Sequence, residues 1–173
     1  MRIFYKLCYT LLRIVINNMQ TTSISITAQE LKSRLDSFEN ECRVRGLRVT
    51  NQRRVIFRTV ASSREHPSAE TVFLQVRKTL PNVSLDTVYR TLASLEQMGL
   101  VFRMGLASKA RFDADLKEHY HFVCMECGEV YDAFPPQDEH LTVPDALKAL
   151  GDIKNVNLQT SGVCTHCRKN LKK

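Results

Sequence analysis

In the first half of the chain, apolar residues recur every three to four positions, in stretches opened by a capping residue and closed by a breaker. Thr27 and Glu30 form a capping-box pair, after which Leu31, Leu35, Phe38 and Cys42 share one helical face until Gly46 offers a C-cap. A second helix is predicted from Thr50 through Val55, Ile56 and Val60, and a third from Ser68 through Val72, Phe73 and Val76. Pro81 and Asn82 break the chain, and Ser84 caps a fourth helix whose buried stripe is Leu85, Val88, Leu92, Leu95 and Met98. Its opposite face carries Asp86, Thr87, Tyr89, Arg90 and Ser94, polar and aromatic groups able to meet phosphates and base edges. After Gly99, the segment LVFRMGLASKARFD reads as two short strands around a small basic turn. Helices closed by such a hairpin predict a winged helix-turn-helix, with Ser84 to Met98 as the recognition helix.

From residue 119 the period changes to two. HYHFVC and EVYDAF read as strands, a helix is predicted around Val143 to Leu150, and a further strand near Val156 to Thr160. The fold class is therefore α+β. An N-terminal extension covers 1–26, a DNA-binding domain 27–112 and a smaller domain 113–173, the two meeting near Arg111 to Lys117. The extension begins apolar and basic, like a signal peptide, but Lys6 and Arg13 interrupt the run and no small-residue cleavage site follows. It is also too short to span a bilayer. With Met19 just ahead of a polar stretch, the expectation is an over-called start, which leaves Cys8 without a role.

Charge separates the same two halves. Residues 1–112 carry 18 Lys/Arg against 8 Asp/Glu, and residues 113–173 carry 7 against 10. A polyanion partner is expected for the first half only, because clustered cations gain affinity for phosphates by releasing condensed counterions.

Four of the six cysteines form two C-x-x-C pairs, Cys124/Cys127 and Cys164/Cys167. Each pair can grip a tetrahedral ion from a tight turn, which points to structural Zn²⁺ and to a reducing, cytoplasmic setting rather than to a secreted disulfide framework. The redox reading of C-x-x-C needs a βαβ context that is missing. Cys42, on an apolar helix face, reads as a core residue, and His166 as exposed. His119 and His121 flank Tyr120 in the alternating run, so both imidazoles face the same side of a strand, where one ion could bridge them. Asp113 and Asp115 lie just upstream, Asp132 is on the neighbouring strand, and His66 is far upstream. Nitrogen and carboxylate ligands favour Fe²⁺, Mn²⁺ or Zn²⁺. On its own, His66 has the plainer reading of a surface loop residue.

These residues fall into blocks. GLRVTNQRRVI at 46–56, HPSAETVF at 66–73, SLDTVYRTLASLEQMGLV at 84–101, RFD at 111–113, HYHFVCMECGEVYDAF at 119–134 and CTHC at 164–167 together resemble the ferric uptake regulator family, from about Leu31 to Cys167. The resemblance implies a transcriptional repressor, not an enzyme. It would be a homodimer whose winged helices reach double-stranded operator DNA and whose small α/β domains, 113–173, pair through their sheets. It implies a structural zinc on the four cysteines and a regulatory Fe²⁺ or Mn²⁺ on His66, Asp113, His119, His121 and Asp132. Tyr89 and Arg90 would touch the major groove and Arg48 the minor groove.

Glu118 and Tyr120 depart from the HHDH stretch of iron-sensing members, so the additional metal site of those proteins is not expected. Asp132 stands where iron sensors usually carry Glu, as in the peroxide-responsive branch. There, His66 and His119 would be the residues that gain an oxygen and lose their grip on the metal. Asn51 replaces a proline common at the start of the second helix, a small loss of rigidity. The alternatives are an iron-responsive repressor, or one sensing zinc or manganese. From another class, a zinc hydrolase or deaminase would need an open zinc and an H-x-E followed by P-C-x-x-C, and neither is present. A purely structural zinc-ribbon adaptor would bind DNA only weakly and without sequence preference.

Overall fold

The computed structural model describes residues 26–105, 110–135, 142–153 and 156–170. The extension at 1–25 and the turn at 106–109 lie outside the described residues. Four helices come first: α1 (Ala28–Val44), α2 (Asn51–Ala61), α3 (Ala69–Val76) and α4 (Leu85–Gln97). All four expected caps are present. The hydroxyls of Thr27, Thr50, Ser68 and Ser84 accept from the backbone N–H of Glu30, Arg53, Thr71 and Thr87, each satisfying a donor that the first turn leaves free. At α1 the box is reciprocal, since the Thr27 N–H donates to Glu30 Oε2 at 3.1 Å.

Gly46 and Gly99 end α1 and α4 with φ of 64° and 69°, the left-handed region where a Cβ is penalised. Each is followed by the six-to-one bond of a Schellman motif: Leu47 N–H to Cys42 O at 2.8 Å, and Leu100 N–H to Leu95 O at 2.9 Å.

The helices enclose one core. Phe38 from α1 stacks on Phe57 from α2 with ring centroids 4.8 Å apart, and Ile56, Val60, Val72, Val76, Val88, Leu92 and Leu95 close around them. Cys42 is fully buried in this core, and burial pushes its thiol up, as expected of an inert packing residue. Two short strands, β1 (Phe102–Met104) and β2 (Arg111–Asp113), then pair antiparallel, with Phe102 opposite Asp113. Phe112 and Ala114 belong to the helical core, and the Phe112 N–H donates to the Pro67 carbonyl at 3.1 Å. That bond fastens β2 to the loop between α2 and α3.

The second sheet is mixed. β3 (Tyr120–Cys124) lies at its centre, antiparallel to β4 (Val130–Ala133) and parallel to β5 (Leu158–Gly162). A Cβ on Gly162 would come within 3.2 Å of the Phe122 ring, so any larger residue there would have to displace that ring where β5 runs close to β3. The helix expected over Val143 to Leu150 is a single turn, α5 (Asp145–Lys148), because none of its residues is buried and its Pro144 cap makes no side-chain bond. The chain's second C-x-x-C runs into a short helix not foreseen from the pattern, α6 (Thr165–Asn170). Among the described residues no helix is long and apolar enough to cross a membrane.

The packing gives a graded expectation for stability in urea unfolding. Phe38→Ala should cost about 3–5 kcal/mol as a core cavity, whereas Thr27→Ala, which removes one cap, should cost about 1 kcal/mol. Equal losses for the two would contradict this placement of the core.

Candidate metal centres and nucleic-acid face

The four paired cysteines converge. Their Sγ atoms all lie within 4.8 Å of one another, with Cys124 and Cys164 buried, Cys167 half-buried and Cys127 exposed. Cys124 ends β3, and the turn after it closes through the Gly128 N–H to Cys124 O bond of 2.9 Å, with Gly128 at φ 75°. Cys164 follows β5 and opens α6, so the parallel pairing of β3 and β5 brings the two C-x-x-C motifs together.

Backbone N–H groups point at the sulfurs, Cys164 N to Cys124 Sγ at 3.3 Å and Cys167 N to Cys164 Sγ at 3.4 Å. The thiols differ accordingly. Burial alone would raise Cys124, but its N–H donors bring it down to about 6, while hydrogen bonding to Cys164 pushes Cys167 up to about 12. Four close sulfurs cannot all ionise without a cation between them, and a soft tetrahedral ion such as Zn²⁺ fits this donor set.

The second cluster gathers residues distant in sequence. β2 ends on Asp113, β3 carries His121 with His119 just before it, and Asp132 on β4 is the register partner of His121. His66 completes the set from the loop between α2 and α3. It is 2% exposed, so the surface-loop reading of this residue is overturned, and its backbone adopts a φ of 46°. His119 Nε2 lies 2.9 Å from His121 Nε2 and 3.0 Å from Asp113 Oδ2, and His121 Nε2 lies 3.3 Å from that same oxygen. Asp132 Oδ1 is 2.9 Å from His66 Nε2, 3.6 Å from His121 Nε2 and 3.8 Å from His119 Nε2.

The chemistry of this cluster is that of an ion site. His66 Nε2 and Asp132 Oδ1 are close but complete no hydrogen bond, and both are buried. Unpartnered buried polar atoms are costly, and here they face one another around a common point. The Nδ1–H of His119 donates to the Lys117 carbonyl at 2.7 Å, so a bound ion would take Nε2 in place of the proton that Nε2 shares with Asp113. Three nitrogens and two carboxylates fit Fe²⁺, Mn²⁺ or Zn²⁺. Without an ion, burial opposes charge on Asp113, but hydrogen bonds from His119 and His121 hold it well below the usual carboxylate range. Burial likewise opposes the charged form of His119, and its bond to Asp113 outweighs this and raises it to about 9. Asp115, a further upstream carboxylate, is buried but stands outside this cluster.

The three residues singled out for DNA are on exposed surface. Tyr89 and Arg90 project from α4; the Tyr89 hydroxyl donates to Glu70 on α3, and the Arg90 side chain, 80% exposed, makes an i,i+4 pair with Asp86 at 3.0 Å. Arg48 precedes α2, with its carbonyl accepting from Arg53 Nη1 at 2.8 Å. Sequence reasoning missed the Glu70–Tyr89 bond, since nothing in the spacing of α3 and α4 foretells which polar groups meet. It also missed Tyr131, whose hydrogen bond to Cys164 pushes its phenol up to about 12 and places it beside the sulfurs.

The ferric uptake regulator family model matches residues 44–160. The peroxide-responsive repressor PerR of Staphylococcus aureus (strain Mu50 / ATCC 700699) is 28% identical over 146 residues, covering 84% of this chain and 99% of its own. The ferric uptake regulator from Pseudomonas aeruginosa, solved with manganese, is 28% identical and superposes with a TM-score of 0.53, covering 73% of this chain and 97% of that one. The Helicobacter pylori ferric uptake regulator, at 21% identity and a TM-score of 0.58, shares the fold over 80% of this chain and 93% of its own.

A proton and a cation compete for His119. Its pKa lies above the unfolded value of 6.5, so in metal-free protein the stability it contributes is full below about pH 6.5 and lost as pH rises through about 9. Asp113 has the opposite sign, contributing above the ordinary carboxylate pKa and losing that contribution in acid. Mn²⁺ binding should therefore release a proton near pH 7.5, detectable by calorimetry in buffers of different ionisation enthalpy, and affinity should rise by about tenfold per pH unit below pH 9. Affinity independent of pH would contradict this protonation scheme.

Proposed function

Because this chain belongs to the ferric uptake regulator family and is a metal-responsive regulator rather than an enzyme, we propose that it is a peroxide-sensing repressor whose regulatory ion joins its two halves. The observation that carries this reading is a pair of linked groups that share His121: His66, from the helical half, with Asp113, and His119 with Asp132, tied across by the 2.9 Å approach of His66 Nε2 to Asp132 Oδ1. In this reading residues 27–112 form a winged-helix DNA-binding domain and residues 113–173 a dimerisation domain. Cys124, Cys127, Cys164 and Cys167 hold a structural zinc, and the five nitrogen and oxygen ligands hold Fe²⁺ or Mn²⁺.

The residues have distinct tasks. Asp113 and Asp132 neutralise the ion, and His119 and His121 fix it to β3. His66 ties the loop ahead of α3 to that sheet, so ion occupancy selects one angle between the helices and the sheet. Two recognition helices α4 then reach adjacent major-groove faces of an operator, with Tyr89 and Arg90 at base edges or phosphates and Arg48 toward the minor groove. A homodimer is favoured by the exposed apolar residues Leu147, Leu150, Ile153, Val156 and Leu158, and by β5 at an edge of its sheet.

The peroxide assignment is supported by Asp132, a shorter carboxylate than Glu, and by the likeness to the Staphylococcus aureus repressor. Fe²⁺ held here would activate hydrogen peroxide, whose two oxidising equivalents put one oxygen atom on an imidazole ring and leave the other oxygen as water. In the branch that the sequence resembles, the positions of His66 and His119 take up that oxygen, and both residues are buried here. An oxidised imidazole is a poorer ligand, and losing either ring releases the tie between the halves.

Peptide mass spectrometry after brief, low-dose peroxide tests this directly. The Fe²⁺-loaded protein should gain one oxygen atom on His66 or His119 and lose operator binding, and the Mn²⁺-loaded protein should do neither. Unmodified histidines with binding that tracks free metal would make it an iron-, manganese- or zinc-dependent co-repressed regulator instead. Arg90→Ala should weaken operator binding by about tenfold or more while leaving Mn²⁺ affinity unchanged, as measured by fluorescence anisotropy.

A further inference from the structure

One buried carboxylate outside the ligand set reaches three of the segments that carry ligands. Asp115, 6% exposed, places Oδ2 at 2.6 Å from Arg34 Nη2 and 3.6 Å from Arg64 Nη1. Arg34 belongs to α1, and its Nη1 also donates to the Ala61 carbonyl at the end of α2, at 3.1 Å. Arg64 stands two residues before His66 and pairs with Glu30 on α1 at 3.1 Å. The other oxygen, Oδ1, accepts from the Lys117 N–H at 3.1 Å, and the Asp115 N–H donates to Asp113 Oδ1 at 2.9 Å.

Each of these bonds bears on a ligand. Occupying Asp113 Oδ1 leaves Oδ2 to face His119 and His121. Fixing Lys117 fixes the carbonyl that accepts from His119 Nδ1 and so orients that ring. Pairing with Arg64 anchors the loop from which His66 enters. A buried carboxylate with a cationic partner this close is costly to leave half-paired, so the arrangement is rigid.

We propose that Asp115 is a positioning residue for the regulatory ion: its pairing with Arg34 and Arg64 fastens α1 and the His66 loop to the turn that aims Asp113 and His119. The inference rests on the reading of His66, Asp113, His119, His121 and Asp132 as the regulatory site. It makes α1, which contributes no ligand, a determinant of metal affinity. Outer groups that orient ligands in this way are worth about 10–100-fold in affinity.

The test is Mn²⁺ titration of the full-length, zinc-loaded protein, followed by the electron paramagnetic resonance of free and bound Mn²⁺. Zinc content and helical circular dichroism are checked for each variant. Asp115→Ala should weaken Mn²⁺ by about 10–100-fold and alter the bound line shape. Asp115→Asn, which keeps the acceptor for Lys117 but not the charge, should fall between it and the parent. Should Asp115→Ala not fold, Arg34→Gln carries the same test from the α1 side and should also weaken Mn²⁺. Parent-like affinity and line shape in the folded variant would overturn the proposal. So would weakening that Asn does not relieve and that leaves the line shape unchanged, the pattern of a general loss of stability. Asp113→Ala is the control, and if it binds Mn²⁺ like the parent, the metal-site reading itself fails.

Discussion

Three imidazoles and two carboxylates from four separate segments crowd into one region as two groups that share His121, and His66 Nε2 and Asp132 Oδ1 are left there without hydrogen bonds. In the absence of a cation, leaving those two buried atoms unpartnered is costly, since they forfeit hydration without gaining bonds, whereas Asp113 is satisfied by His119 and His121. The protein tolerates it because the surrounding elements hold it in place. The register of β3 on β4 sets His121 beside Asp132, the Pro67–Phe112 backbone bond sets the His66 loop beside β2, and β2 delivers Asp113. An ion supplied to this point would turn the least favourable part of the fold into a tie between its halves, so that metal affinity and conformation become one equilibrium.

His66 is where that coupling concentrates. It is the non-glycine residue with positive φ among those described, a conformation that costs on the order of 1 kcal/mol. In the proposed site the cost is matched by what the residue would do, which is to carry the ligand contributed by the helical half. The tetrathiolate cluster differs in kind. It joins β3 to the segment after β5 within one half, so an ion held there would not tie the two halves together.

The helices were legible because their ends are written locally: four hydroxyl caps and two glycines at positive φ fall where the residue types demand them. β3 and β4 were legible from alternation, which also put His119 and His121 on one side. His66 was not, because a histidine before a proline in a loop is usually solvated, and its burial depends on contacts with residues some fifty positions away. The resemblance supplied what periodicity could not. The helix expected at 143–150 is shortened to one turn, Asp145–Lys148, because none of its residues is buried in the single chain. Asp115 was visible as a carboxylate near the histidines, but its partners Arg34 and Arg64 come from distant elements and no spacing rule connects them.

One ion held from both halves of the chain would coordinate imidazoles from both. Pulsed electron paramagnetic resonance of Mn²⁺-bound protein labelled with ¹⁵N-histidine counts coordinated imidazoles directly. Three are expected, from His66, His119 and His121, with one signal lost and operator binding abolished in His66→Ala. An unchanged nitrogen count in His66→Ala would place the ion in the sheet alone and contradict the coupling of the two halves.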